Sequence, residues 1–311
     1  MRILLALDGS DGAATAVALV NALPWPVDTH IEAVHVVEPV ATVFGTPPVV
    51  FEGPIESVLD LPAVRRTLES EVSGLRRDGL TVTARVLVGR AATRLVAHAR
   101  ESGAGLLVIG SRGRGPIASM VLGSVSAEVA VDAPCPVLVA RTTGLRRVLV
   151  ALDGTPEADR VIDEVAASPF IRAAHVQVVS VAPSVIPGPG MLLGGGLGLP
   201  IAVYEDAVMA ARHDLEQRAA AAADRLAASG LDVTWSVPEG DAAVTIIDHA
   251  VRGEVDLIVV GRHERSGMRR LMLGSVARNV LLHAHSSVLV LHEPHADHGS
   301  GAPVPSAGGA A

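Results

Sequence analysis

A short apolar run that ends in a glycine-rich loop and is followed by a Gly-Ser dipeptide occurs twice in this chain. In the first half, the run Leu106–Ile109 leads to Gly110 and Gly113, and nine residues then separate Gly113 from Gly123 and Ser124. Backbone N–H groups approach an anion closely where side chains are absent, and the N-terminus of a helix adds partial positive charge. A strand that opens into such a loop, followed by a helix that starts at Gly-Ser, therefore predicts a phosphate cradle.

The second half repeats this pattern with one difference. Gly261 follows its apolar run, Glu264 stands where the first half has Gly113, and Gly274 and Ser275 follow at the same spacing. The carboxylate of a glutamate repels a phosphate, and its side chain fills space that glycine leaves open. Two neighbouring arginines offset part of that charge. We therefore expect weaker anion binding in the second half than in the first, or none.

The surroundings of the glycine pattern repeat as well. An apolar run ends at Asp8-Gly9-Ser10 near the start of the chain, and a matching run ends at Asp153-Gly154-Thr155. Two copies of one domain explain this better than chance, and 311 residues suit two domains of about 150 residues each. We predict one domain over residues 1–144, a second over 145–293 and a disordered tail over 294–311.

Each half is predicted to alternate five strands with four helices. The predicted strands span residues 2–7, 31–37, 81–87, 106–109, 136–140, 147–152, 175–181, 231–237, 256–260 and 287–291. The predicted helices span residues 11–23, 61–78, 91–102, 123–131, 156–167, 202–229, 241–252 and 274–284. Such alternation is typical of an α/β fold with a parallel sheet and helices on both faces. Ligands on such sheets bind beyond the carboxyl ends of the strands, where both Asp8 and Gly110 lie.

Composition and charge exclude several functional classes. The net charge of −8 argues against a nucleic-acid partner. The chain has no lysine, which excludes a Walker A loop, a Schiff base and a protein-kinase active site. The apolar runs are too short to cross a bilayer and Met1 leads directly into a strand, so we expect no membrane span and no signal peptide. The single cysteine, Cys135, is interpreted as a small buried hydrophobic residue, and a chain without an internal disulfide fits the cytoplasm.

With these motifs the chain resembles a tandem universal stress protein, in which Asp-Gly-Ser follows strand 1 and Gly-x-x-Gly-x9-Gly-Ser follows strand 4. The resemblance covers both halves. It implies that each is a five-stranded parallel α/β sandwich of the adenine-nucleotide α-hydrolase-like, Rossmann-like type. It also implies ATP, with or without Mg²⁺, as the ligand of the first half specifically, since family members that lack the glycine pattern do not bind ATP. The composition, rich in alanine and arginine, suggests a bacterial source with a GC-rich genome.

The resemblance assigns ligand-binding residues by position. In the first half, the aspartate and the glycine loop would lie by the ribose and the phosphates, Val36 would offer backbone groups to the adenine, and the Gly-Ser helix start would donate to phosphate oxygens. The first-half set is Asp8, Gly9, Val36, Gly110, Arg112, Gly113, Gly123, Ser124 and Val125. The second-half set is Asp153, Val181, Gly261, Gly274, Ser275 and Val276. For Asp8 and Ser124, a simple turn or helix-capping role stays an alternative.

The resemblance also makes a prediction about assembly. Two domains of the family pair through the last strand of each sheet, because an open sheet edge leaves backbone hydrogen-bonding groups without partners. It therefore implies that Val137–Val139 and Val288–Val290 pair within this chain. Association of two whole chains into a homodimer is a separate expectation.

These observations favour a nucleotide-binding protein with a regulatory or stress-response role and no efficient catalysis. Phosphoryl transfer needs a metal, a positioned water and charge neutralisation beyond a cradle, and the sequence shows no clear base and no Ser/His/Asp arrangement. His292, His295 and His298 recur every third residue, which we interpret as a polar tail rather than a metal site. Two alternatives stay open: a slow ATPase that uses Mg²⁺ and Asp8, and a structural interaction module whose glycine loops are empty.

Overall fold

A computed structural model describes most of the chain. It covers residues 1–38, 60–75, 79–113, 122–155, 158–184, 201–262 and 273–292, with the backbone alone for residues 201–207. Glu264 and the predicted tail lie outside these ranges. Within them, the elements follow the predicted alternation of strands and helices.

The bounds of the elements lie within two residues of those predicted, with one exception. The first half contains β1 (Arg2–Ala6), α1 (Asp11–Ala22), β2 (Thr29–Val37), α2 (Leu61–Glu71), β3 (Leu80–Val88), α3 (Ala91–Ser102), β4 (Leu106–Gly110), α4 (Ser124–Asp132) and β5 (Val137–Ala140). The second half contains β6 (Arg147–Leu152), α5 (Ala158–Ala167), β7 (His175–Ser180), α6 (Ile201–Ala228), β8 (Asp232–Ser236), α7 (Ala242–Arg252), β9 (Leu257–Gly261), α8 (Ser275–His283) and β10 (Ser287–Leu291). The exception is α2, which is shorter than predicted and is followed by a 3₁₀ turn over Ser73–Leu75.

The ten strands form one sheet in the order β3-β2-β1-β4-β5-β10-β9-β6-β7-β8. Within each half every strand pair is parallel, as strand–helix–strand crossovers require. The two halves join where β5 and β10 pair antiparallel, with Val139 opposite Val288 and Val137 opposite Val290. The predicted pairing of these two edge strands within the chain is therefore confirmed.

Helices cover both faces of the sheet, because successive residues of a strand point to opposite faces. Ile3 and Leu5 of β1 join a core with α1, α2, α5 and α6, while Leu4 and Ala6 join a second core with α3, α4, α7 and α8. Burial on both faces explains the uninterrupted runs of valine, leucine and isoleucine. The sheet order also places the carboxyl ends of β1 and β4 side by side, with Ala6 opposite Ile109, and those of β6 and β9 likewise.

Candidate functional site

The first cleft lies where β1 and β4 end next to each other. Asp8 follows β1, and its Oδ1 accepts hydrogen bonds from the backbone N–H of Ser10 (3.0 Å) and from the Ser10 hydroxyl (2.6 Å). A Cβ added to Gly113 would lie 2.6 Å from Asp8 Oδ2, so the glycine loop passes directly against this carboxylate. A side chain at residue 113 would have to displace the Asp8 carboxylate. The structure thus brings together the two motifs that the sequence places about a hundred residues apart.

The start of α1 presses on the same loop. A Cβ on Gly110 would lie 2.4 Å from the carbonyl carbon of Gly12, and a Cβ on Gly12 would lie 2.3 Å from the carbonyl oxygen of Arg112. Both positions therefore require glycine for close backbone approach. Gly12 was not among the site residues predicted from the sequence, although a glycine in the first turn of a helix is a poor helix former and is a signal in itself.

The helix that follows the loop starts without a capping side chain. Its N-cap residue is Gly123, whereas Ser10 and Asp60 cap α1 and α2 with side-chain oxygens. The backbone N–H of Gly123 donates to the Ser111 carbonyl oxygen over 2.7 Å, which ties the helix start to the glycine loop. The first N–H groups of a helix have no partner within the helix, so the start of α4 presents donors that an anion can accept.

The remaining first-half residues lie around this cleft. The register of β1 and β2 ends with Ala6 opposite Val34, so Val36 lies beyond the last paired residue of β1. The side chain of Val36 is half-buried and packs on the second core. Arg112 is exposed, and its carbonyl oxygen lies 3.0 Å from the Ser10 hydroxyl. Val125, in the first turn of α4, packs partly buried against the same core.

In the second half, the predicted residues line a single cavity of about 580 Å³. They are Asp153, Val181, Gly261, Gly274, Ser275 and Val276. Asp153 accepts hydrogen bonds from the backbone N–H (3.0 Å) and the hydroxyl (2.6 Å) of Thr155, as Asp8 does from Ser10. Gly154 has a φ of +72° and Gly9 a φ of +73°, so both Asp-Gly turns use the left-handed conformation that glycine adopts without strain. The turn and the glycine-capped helix are therefore built alike in both clefts.

This cavity of the second half extends along α5, where Val161, Glu164 and Ala167 line it. By the offset of the Asp-Gly motifs, Glu164 corresponds to Leu19 of α1, which is fully buried in the core. Glu164 is exposed and lines the cavity, whereas Leu19 is packed in the core of the first half. The effect expected of Glu264 stays a prediction, because this residue lies outside the described ranges.

His292 corrects one interpretation made from the sequence. It is buried at the end of β10 rather than part of a polar tail, with 6% of its surface exposed. Its Nε2 lies 3.1 Å from the carbonyl oxygen of Ala130 in the other half. Burial, together with the charge of Arg262, lowers its pKa to about 4, so the ring is neutral at pH 7. His295 and His298 lie outside the described residues.

Three further properties concern the cysteine, metal ligands and membrane spans. Cys135 is buried, and this burial raises its pKa to about 12, which agrees with its interpretation as a small hydrophobic residue. Among the residues that the structure describes, no three histidine, cysteine or acidic side chains are grouped to hold a metal ion. In the same ranges, no helix has the length and apolar character needed to cross a bilayer.

Comparison with known proteins gives one consistent family. The model of the universal stress protein family matches residues 1–141 and again residues 144–292. A universal stress protein of Thermus aquaticus is 37% identical over 139 residues, which are 45% of this chain and 97% of that protein. Universal stress protein YxiE of Bacillus subtilis is 30% identical over 145 residues, which are 45% of this chain and 98% of that protein.

A solved structure covers both halves at once. The crystal structure of a universal stress protein from Archaeoglobus fulgidus aligns with a TM-score of 0.60 and 17% identity, covering 93% of this chain and 97% of that one. At this identity the likeness shows the fold alone. The two family matches together with this alignment show a tandem of two related domains.

Proposed function

This chain belongs to the universal stress protein family, with one domain in each half, and we propose that it binds ATP in a regulatory or stress-response role without efficient catalysis. The observation that carries the proposal is the start of α4. There, a helix capped by Gly123 opens onto a glycine loop that passes against the carboxylate of Asp8. This combination suits a ligand with both phosphate and hydroxyl groups.

The phosphates are proposed to lie at the N-terminus of α4. The backbone N–H groups of Ser124 and Val125 are the donors, and the helix dipole favours negative charge at this end. A Cβ on Gly123 would lie 3.5 Å from the Ser111 carbonyl oxygen and 3.6 Å from the Gly113 nitrogen, so this face of the glycine is directed at the loop. A longer side chain at this position would enter the space between helix and loop.

The nucleoside is proposed to lie between the ends of β1 and β2. Carboxylate oxygens accept hydrogen bonds from hydroxyl groups, which suits Asp8 to a ribose. Because Val36 lies beyond the last paired residue of β1, that strand does not cover its backbone, which supports a contact with the adenine. The equivalent second cleft has about 580 Å³ of space, within the range typical of small-molecule sites.

Binding without efficient turnover fits the arrangement around Asp8. A general base must accept a proton from an attacking water, and Oδ1 of Asp8 already accepts two hydrogen bonds from Ser10. These bonds support a structural and ligand-positioning role for the carboxylate. A slow Mg²⁺-dependent ATPase is the competing enzyme class, and a structural interaction module with empty clefts is the third possibility.

We propose that the first half binds ATP more tightly than the second. The second cleft keeps the Gly-Ser helix start, but the charge and the bulk of Glu264 both oppose a triphosphate there. A like charge near a phosphate in a site that excludes water costs on the order of 1 kcal/mol or more, about tenfold in affinity. Glu264 brings such a charge to the loop, and Arg262 lessens its effect.

The test compares two matched variants in the full chain, Gly123→Glu and Gly274→Glu. Each places a carboxylate at the start of one Gly-Ser helix. Nucleotide released from the purified protein is identified by mass spectrometry, and ATP affinity is measured by calorimetry. We expect Gly123→Glu to remove the tighter site with the fold intact by circular dichroism, and Gly274→Glu to leave that site in place.

Four results would each contradict part of this proposal. Unchanged ATP affinity in Gly123→Glu refutes the site, and loss of the tighter site in Gly274→Glu reverses the order of the two clefts. A wild-type protein that carries no nucleotide and binds no added ATP favours the structural module. Turnover of ATP with Mg²⁺ that Asp8→Asn abolishes favours the ATPase.

A further inference from the structure

β5 and β10 are the two strands that pair between the halves, and the residue directly after each of them contacts the other half. Arg141 follows β5, and its guanidinium donates to the carbonyl oxygens of Leu281 in α8 and of Ser286 (3.2 Å). His292 follows β10, and its Nε2 lies 3.1 Å from the carbonyl oxygen of Ala130 in α4. Residues 141 and 292 are 151 positions apart, and so are residues 130 and 281. The two contacts are therefore equivalent, and they cross.

Leu281 and Ala130 both lie in the last turn of a helix, where the carbonyl oxygens have no donor within the helix. For Ala130 the following chain cannot supply one, because Pro134 has no backbone N–H. The side chain from the other half takes the place of that donor, as basic side chains do at helix ends. Each Gly-Ser helix is thus held at its far end by its partner domain.

The same helices carry the proposed phosphate cradles at their near ends. Ala130 and Leu281 each lie six residues beyond the first residue of α4 or α8, so about 9 Å along the helix axis separates the cradle from the crossed contact. The loops are connected as well. The backbone N–H of Ser111 donates to Ala140 (3.1 Å), and that of Arg262 donates to Leu291 (3.0 Å). The loop of the first cleft is therefore hydrogen-bonded to Ala140, which precedes Arg141, and the loop of the second cleft to Leu291, which precedes His292.

We propose that His292 and Arg141 are positioning residues that couple the two clefts: His292 holds the cradle helix of the first cleft, and Arg141 that of the second. The proposal rests on nucleotide binding in these clefts. A ligand that shifts one loop moves the adjacent strand end, and through the crossed contact it biases the helix of the other cleft. By thermodynamic linkage, each cleft then changes the affinity of the other by the same factor.

The two contacts differ in strength. Burial and the nearby charge of Arg112 lower the pKa of Arg141 to about 10, so the guanidinium is still charged at pH 7 and favours the negative end of α8. His292 is neutral and has one N–H to donate, although carbonyl oxygens lie near both ring nitrogens, at Ala130 and at Val290 (3.2 Å). The helix of the first cleft is therefore held more weakly than that of the second.

The test measures ATP affinity of the first cleft in full-length protein that carries Gly274→Glu to block the second. Into this background we introduce His292→Ala, which removes the donor, and His292→Gln, which keeps one. The matched control is His285→Ala, an exposed histidine in the same half. We expect His292→Ala to weaken ATP binding by at least about fivefold, His292→Gln to restore most of it, and His285→Ala to change nothing. The converse experiment uses Arg141→Ala with the first cleft blocked by Gly123→Glu, where ATP affinity of the second cleft is expected to fall.

Amide hydrogen exchange keeps this test independent of ATP binding. Exchange at Ser124 and Val125 is expected to be faster in His292→Ala than in the His285→Ala control. If the wild-type chain binds no ATP, the proposed function fails, and exchange alone then decides whether His292 positions α4. His292→Ala is also placed in the Gly123→Glu background, where the second cleft is the one measured. Unchanged exchange and affinity in His292→Ala, or a loss of affinity in the second cleft equal to that in the first, would overturn the proposed crossed coupling.

Discussion

The burial of His292 predicts that acid destabilises this protein through one identifiable residue. Its pKa is lowered from an ordinary value of 6.5 to about 4, first by burial and then by the charge of Arg262. His292 therefore binds a proton less readily in the folded state than in the unfolded state. The stabilising contribution is complete above pH 6.5 and is lost as the pH falls from there towards 4. Because the side chain is almost fully buried, solvent does not screen this effect.

The size of the effect follows from the two pKa values. Their difference limits the contribution to about 3 kcal/mol, and about 2 kcal/mol of it is lost between pH 7 and pH 5. The assay is urea unfolding of the wild type and of His292→Gln at both pH values. Other groups titrate alike in the two proteins, so the difference between their pH dependences isolates His292.

We expect the free energy of unfolding to fall more steeply with acid in the wild type than in His292→Gln, by about 2 kcal/mol at pH 5. The exposed His285 provides the control, since His285→Gln is expected to follow the wild type. Parallel curves for the wild type and His292→Gln would refute the reasoning, because a histidine that titrates normally in the folded state contributes no such slope.

Three further predictions concern packing, reactivity and assembly. Gly12→Ala and Gly110→Ala each place a Cβ within 2.5 Å of backbone atoms. We expect each to lower the free energy of unfolding, measured by thermal unfolding, by about 1–3 kcal/mol. Gly74→Ala is the control, because a Cβ at that position meets nothing within 4 Å. Cys135 is expected to resist a thiol reagent in the native protein and to react after denaturation, since its pKa is about 12 and it is buried; rapid labelling of native protein would contradict this. An isolated fragment of residues 1–144 is expected to dimerise through its exposed β5 edge, and light scattering that shows a monomer at all concentrations would show that β10 is not needed to cover that edge.

The order and extent of the elements could be predicted because they depend on short-range rules. Apolar runs, Asp-Gly turns and Gly-Ser helix starts each specify backbone conformation locally, and the second copy of the repeat supports the assignments made in the first. The pairing of Val137–Val139 with Val288–Val290 was also predictable, through the family resemblance. The prediction failed for the end of α2, because Leu68, Val72 and Leu75 continue the helical spacing of apolar residues into the 3₁₀ turn that follows the helix.

Local periodicity and the repeated glycine pattern were enough to predict the tandem α/β architecture from the sequence, whereas the ligand-binding residues assigned to each cleft stay a prediction. The contacts between groups that are distant in the sequence, by contrast, become visible in the folded protein alone. Residue 12 must be glycine because α1 lies directly against the loop after β4. Glu164 lines a cavity beside α5, whereas the corresponding Leu19 of α1 is buried in the core. The burial of His292 against Ala130 likewise depends on the antiparallel junction of the two sheets. Such contacts join residues more than a hundred positions apart, and their energies depend on burial and close approach, which no local pattern encodes.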